Sequence, residues 1–213
     1  NTLFEGAISL NTFVVESILE AIGPISLPDY NLTISKDNFL EEIQREVEIG
    51  QDKKAGENPK KILTFVAPIL IEKLQFLPDE AKRALIERLK DHIAHKDIMI
   101  YMRRGKLAAL TASIGIDGSA YFLPSSFWGS YLAVVNANIG GGKSDVFIDQ
   151  SIEGRVDVGA DGSSFVNLAV NRAHKGGNEK DWWWRAENKD YLQVLTNPAA
   201  TLISLEGAKE VKN

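Results

Sequence analysis

The sequence predicts an α+β (or α/β) layer followed by an antiparallel β-sandwich-like unit. Residues up to about 120 alternate short apolar strands with segments whose apolar residues recur at helical spacing. From Tyr131 onward apolar residues recur mostly every second position between Gly/Asn turns, and Asp161-Gly162 is the clearest tight-turn pair in the chain. The expected division is therefore 1–130, a mixed α/β region truncated at its N-terminus, and 131–213, an antiparallel β unit truncated at its C-terminus. The latter offers four or five strands, short of the roughly seven of a complete immunoglobulin-type sandwich.

Each element has a local reason. Leu3–Leu10 reads as an opening strand. Asn11–Ile22 places Phe13, Val14, Ile18, Leu19 and Ile22 on one helical side and stops at Gly23-Pro24. After an extended turn and strand from Leu27 to Ser35, Ser35 is the expected cap of a helix carrying Phe39, Leu40, Ile43 and Val47. The polar run Gly50–Pro59 reads as a loop. Asn58-Pro59 then starts a helix with Ile62, Leu63, Val66, Ile69, Leu70 and Leu74 inward and a kink expected at Pro68. Pro78-Asp79-Glu80 opens another, with Leu85, Ile86, Leu89 and Ile93 apolar. A strand at Asp97–Met102 and a short helix from Gly105 complete this half. The later strands are expected at Tyr131–Asn136, Val146–Val158, Ser163–Arg172, Tyr191–Leu195 and Ala200–Glu206.

Composition excludes several functions. A net charge of -5, with basic residues scattered, removes the broad cationic surface that nucleic acid needs. Zero cysteines exclude disulfides, thiolate zinc sites and thiol catalysis. No apolar run approaches the roughly eighteen residues of a membrane span.

Two segments draw a functional reading. Ala137–Ser144 satisfies a permissive phosphate-loop pattern, in which glycine N–H groups cradle phosphates and the lysine meets the outer ones. The residues after Ser144 have strand rather than helix periodicity, so the helix dipole that completes such a site is missing from the pattern. Asn136, Asn138, Gly140, Gly141, Gly142 and Lys143 are therefore read as a structural Gly-rich connection between strands, and no cofactor is expected. The second segment is Trp182-Trp183-Trp184-Arg185. On a strand Trp182 and Trp184 would share one side and Trp183 the other, so at least one ring is expected at an interface, against the other domain, a partner or a glycan, unless the rings simply cover the open end of the β unit.

Other chemistry is sparse. His92 and His95 stand at helical i, i+3 spacing, with no acid placed beside them by sequence, and are read as surface histidines rather than metal ligands. Asp145, Asp149, Asp157 and Asp161 lack the spacing of a calcium loop. No serine lies in a recognised nucleophile motif, so no catalytic or metal residue is expected.

The runs Phe4–Asn11, Gly23–Phe39, Ile98–Gly118, Tyr131–Ile152 and Trp182–Leu195 together resemble the bacterial family known as domain of unknown function four thousand and twelve, with Asn136–Asp145 the most specific part. The resemblance covers most of the chain and implies its C-terminal part, preceded in the family by a membrane anchor and an Arg-Pro-Thr-Gly-Gly type motif. It implies an extracytoplasmic, envelope-associated bacterial protein that meets the membrane only through an anchor absent from this chain. The opening strand is also distantly similar to that of the LytR-CpsA-Psr cell-wall ligases, with Glu5 and Asn11 at two of their acidic positions; no catalytic residue carries over. The expectation is a noncatalytic envelope module that binds a glycan or an envelope protein. The alternative is part of a phosphotransferase acting on lipid-linked glycopolymers, its catalytic groups upstream.

Overall fold

The computed structural model describes residues 3–119, 129 and 131–207. The chain is a mixed α+β protein that divides into two compact units, 1–122 and 123–213. The sequence boundary drawn after 130 falls at a residue outside the described ones.

In the first unit, β1 (Gly6–Leu10) pairs antiparallel with β4 (Ile98–Met102), Gly6 opposite Met102 and Leu10 opposite Ile98. Between them the chain forms α1 (Thr12–Ile22), the short hairpin β2 (Ile25–Leu27) and β3 (Leu32–Ile34), α2 (Phe39–Ile49), α3 (Gln51–Lys54), α4 (Leu63–Gln75) and α5 (Asp79–Ala94); α6 (Gly105–Ser113) follows β4. The Asn11 side chain accepts from the Phe13 N–H and caps α1, while Gly23, at φ 77°, ends it by donating to the Leu19 carbonyl. Leu19 of α1, Ile25, Leu27 and Ile34 of the hairpin, Phe39 of α2, and Val66 and Leu70 of α4 form one buried apolar cluster with Ile62. These are largely the residues whose spacing marks the inward faces.

Several boundaries differ from the sequence expectation, each for a local reason. The residue preceding α2 is Asn38, not Ser35. The Asn38 side chain turns back to accept from the Ser35 N–H at 2.7 Å and to donate to the Thr33 carbonyl at 3.0 Å, which folds 35–38 into a turn. The expected loop 50–59 contains α3, and Asp52 on that helix is buried. The segment from Asn58 to Ile62 is a turn rather than helix. Leu63, Thr64 and Phe65 donate to the carbonyls three residues back, and helical spacing takes over only after them. Pro68 lies within a continuous α4.

The second unit contains two separate ladders. β5 (Leu132–Asn138) pairs antiparallel with β8 (Asp190–Thr196), and β6 (Ile148–Val158) with β7 (Ser164–His174) through the expected turn at Gly162, whose φ is 82°. Residues 145–147 form a 3-10 turn before β6, and 200–206 form no strand. The tryptophans lie on one helical turn, α7 (Trp182–Arg185), not on a strand. In that turn the Trp184 and Arg185 N–H groups both donate to the Asp181 carbonyl, a bonding pattern that strand geometry does not offer.

A polar contact ties α3 to the hairpin of the first unit. The Tyr30 hydroxyl donates to Asp52 Oδ2 at 2.6 Å, and Lys61 Nζ lies 3.4 Å from Oδ1. Burial and then the Asp52 carboxylate hold the Tyr30 phenol above its ordinary value of 10.0. Tyr30→Phe is expected to lower stability by about 1–3 kcal/mol in urea unfolding at neutral pH, because Asp52 loses a partner while only 5% exposed. Because the folded pKa is the higher, the phenol's contribution is complete below pH 10 and lost as pH rises through the folded value. The difference between wild type and variant should therefore shrink in strong alkali.

Candidate functional site

The sequence singles out the Gly loop and the tryptophans, and the structure brings them together. The loop joins β5 to β6, and the amides of Gly142 and Lys143 are already used. Gly142 N–H donates to the Glu187 carbonyl at 2.8 Å and Lys143 N–H to the Trp183 carbonyl at 2.9 Å. A phosphate cradle needs those donors free. Asn138 seals the loop from inside: its Nδ2 donates to the Gly142 carbonyl at 2.7 Å and to Asp145 Oδ2 at 2.9 Å, while its Oδ1 accepts from the Lys189 N–H at 3.1 Å. Asn188 closes the other side by donating to Asp145 Oδ1 at 3.0 Å.

The three glycines have different tasks. Gly140, at φ 71°, takes a backbone conformation that a side chain strains. Gly141 and Gly142 have no positive φ; they allow close approach. A Cβ on Gly142 would stand 2.2 Å from Ala186 Cβ and 2.9 Å from the Trp183 carbonyl oxygen, and one on Gly141 2.7 Å from the Glu187 carbonyl oxygen.

Under this loop Trp183 is 1% exposed, the one large apolar side chain buried among the described residues of the second unit. Trp182 is 52% exposed and meets Trp183 edge-on at 5.8 Å; Trp184 is half-buried against Phe147 at 5.4 Å. Arg185 does not stack on a ring. Its Nη1 donates to the Glu179 and Lys180 carbonyls at 2.7 and 2.6 Å, which fixes the turn before α7. Asn136 Oδ1 and Trp183 Nε1 are buried without a hydrogen-bond partner.

The first unit holds a constellation that local sequence did not reveal. Ser17 Oγ on α1 lies 2.9 Å from His92 Nε2 on α5, and His92 Nδ1 lies 2.8 Å from Asp97 Oδ2. His92 is thus no surface histidine: its side chain is 16% exposed and that of Asp97 19%. The end of α5 sets this geometry. Lys96 takes φ 65° and donates to the Ile93 carbonyl, while Asp97 N–H donates to the His92 carbonyl at 2.8 Å. This double closure, with a left-handed residue between, folds the chain so that the acid at 97 meets the ring at 92. Asn11, between β1 and α1, then fixes Asp97, its N–H donating to the Asp97 carbonyl and its Nδ2 to Oδ1 at 3.0 Å. The remaining histidines are exposed, His95 facing the Asp91 carbonyl and His174 the Trp184 carbonyl.

Ser17 and His92 open on a cleft of about 480 Å³ also lined by Phe13, Glu16, Glu20, Lys36 and Asp37. Burial raises the Glu16 pKa, whereas hydrogen bonds from Arg88 and Lys36 lower that of Glu20. No motif signals this site, because Ser17 and His92 are 75 residues apart. Among the described residues, no group of three or more His, Asp or Glu side chains is placed to hold a metal ion, and no helix is long and apolar enough to cross a membrane.

No family model matches the chain, and neither the curated proteins nor the solved structures give a significant match.

Glycine substitutions separate the loop's two constraints. Gly142→Ala is expected to destabilise the second unit by about 1–3 kcal/mol through overpacking against Ala186 and Trp183. Gly140→Ala should cost about 1 kcal/mol through its backbone alone. Gly177→Ala, where a Cβ meets nothing within 4 Å and φ is not positive, should be silent. Thermal unfolding followed by tryptophan fluorescence checks all three.

Proposed function

We propose that the chain is a bacterial cell-envelope module whose second unit is noncatalytic and binds a protein partner. The observation that carries the binding role is the amphipathic ladder β6–β7. Ile152, Val156 and Val158 share one face with Val166, Leu168 and Val170, while the opposite face carries Asp149, Ser151, Glu153, Arg155 and Asp157. Ile152, Val156, Val158 and Val166 on the apolar face are exposed. A contiguous apolar face of this kind marks a protein contact. A partner sheet laid on it would give the sandwich-like packing expected from the sequence, and that packing is part of the proposal. The envelope placement is supported by the family resemblance of the sequence.

A second reading, glycan binding, is favoured by one observation. Trp182 presents a half-exposed ring on a turn anchored by buried Trp183 and by the carbonyl contacts of Arg185. A rigid aromatic face of this type suits a sugar ring.

Two substitutions distinguish the readings. Val156→Asp should abolish capture of a partner from solubilised bacterial envelopes by the immobilised chain, identified by mass spectrometry and confirmed with the purified partner, while the melting temperature stays within about 2 °C. Trp182→Ala should leave that capture intact and, on the glycan reading, reduce retention by purified peptidoglycan. Trp183→Ala serves as the folding control and should cost about 3–5 kcal/mol. Unchanged capture by Val156→Asp sinks the protein-partner reading.

A further inference from the structure

Ser17, His92 and Asp97 stand in the hydrogen-bonded order of a nucleophile, its general base and the acid that orients the base, at 2.9 and 2.8 Å. We propose that the first unit carries an acyl-transfer site in which Ser17 is the nucleophile, acting on small neutral or cationic carboxylic esters. This site is independent of the partner-binding surface and departs from the noncatalytic expectation.

Four features go beyond the bare triad. Asp97 is fixed from two directions, by the helix end closed at Lys96 and by Asn11, so the His92 ring is held in one orientation with Nε2 toward Ser17. Ser17 and His92 line a cleft, so the nucleophile is reachable. The cleft sets a charge preference: Glu16, Glu20 and Asp37 face it, with Lys36 and Arg88 both spent on Glu20, so the remaining carboxylates disfavour anionic substrates. Phe13, 52% exposed, supplies an apolar wall for the acyl or alcohol group.

The step balances without a cofactor. Ser17 Oγ adds to the ester carbonyl carbon as its proton passes to His92 Nε2. The bond from that carbon to the alcohol oxygen breaks, and His92 returns the proton to the departing oxygen. Water then attacks the acyl-Ser17 ester through the same base, releasing the acid and restoring the hydroxyl. The Ser17 N–H is committed to the ladder of α1, so charge developing on the carbonyl oxygen has to be met from the cleft lining, where Lys36, its Nζ 3.1 Å from Glu20, carries the ammonium.

A fluorophosphonate probe tests this on the full chain, with peptide mapping by mass spectrometry. One adduct on Ser17 is expected, absent in Ser17→Ala and formed roughly 100-fold more slowly in His92→Gln. Asp97→Asn should slow labelling, and Asp97→Glu should restore part of the rate, which a purely structural role for the acid does not predict. Acetyl transfer from p-nitrophenyl acetate should modify the same serine. If the folded wild-type chain leaves Ser17 unlabelled under excess probe, or if folded His92→Gln labels at the wild-type rate, the three side chains are a strut between α1 and α5 and the proposal is overturned.

Discussion

The first unit depends on the pairing of residues 6–10 with 98–102. These segments lie at opposite ends of the helical region, and closing so long a loop carries an entropic cost that the intervening helices must offset by burial. They do so through the cluster of Leu19, Ile25, Ile34, Phe39, Ile62 and Val66. The closure also has a chemical consequence. It brings the Asn11 cap of α1 beside Asp97, so the residue that starts one helix fixes the acid that follows another. With both helix ends held, α1 and α5 lie side by side and Ser17 meets His92. A site assembled from termini in this way inherits the rigidity of the sheet rather than that of any loop.

The second unit rests on a different device. Its ladders bury little, and its one large buried side chain among the described residues is Trp183. That ring is met edge-on by the flanking rings of Trp182 and Trp184, while its backbone carbonyl takes up the glycine loop. The loop from Gly140 to Lys143 lies across the tryptophan turn, donating amide bonds to the carbonyls of Trp183 and Glu187, and only glycines let the two backbones come so close. The run that imitates a phosphate loop is thus spent on packing. N–H groups in a glycine turn attract either an anion or a carbonyl, and here the carbonyls of Glu187 and Trp183 occupy those of Gly142 and Lys143.

Much of the fold was legible because periodicity reports burial. The inward faces of α1, α2, α4 and α5, apart from Phe13, Leu63 and Ile86, which are exposed, and the hairpin at Asp161-Gly162 follow from spacing and turn chemistry alone. What was not legible follows from contacts that sequence distance hides. Asn38 displaced Ser35 at the start of α2 because its amide found Thr33 and Ser35, a choice between two good capping residues that propensity does not rank. The tryptophans left strand geometry because the Asp181 carbonyl collects two amide donors in a helical turn. At the candidate sites, Gly142 and Trp183 were recognised as unusual, but their mutual contact was not. Ser17, His92 and Asp97 carried no local signature, since a triad is defined by geometry and its members come from two helices and a turn.

The unequal burial of the two units bears on how each can work. A packed apolar cluster resists local opening, so α1, which carries Ser17 and buries Leu19 in that cluster, is held in place as a nucleophile requires. A two-stranded ladder is marginal by itself in water, and β6–β7 presents Ile152, Val156 and Val166 to solvent on the face that would ordinarily pack. Its strand pairing is nevertheless well specified. Shifting the register by one residue would set Asp157 and Glu153 among the valines, so the alternation holds the apolar face together as a single surface. A surface that is fixed in register and short of cover gains most from an occupant, because binding adds the burial that folding left undone. That gain, rather than any one hydrogen bond, is the physical basis for reading the ladder as a contact surface.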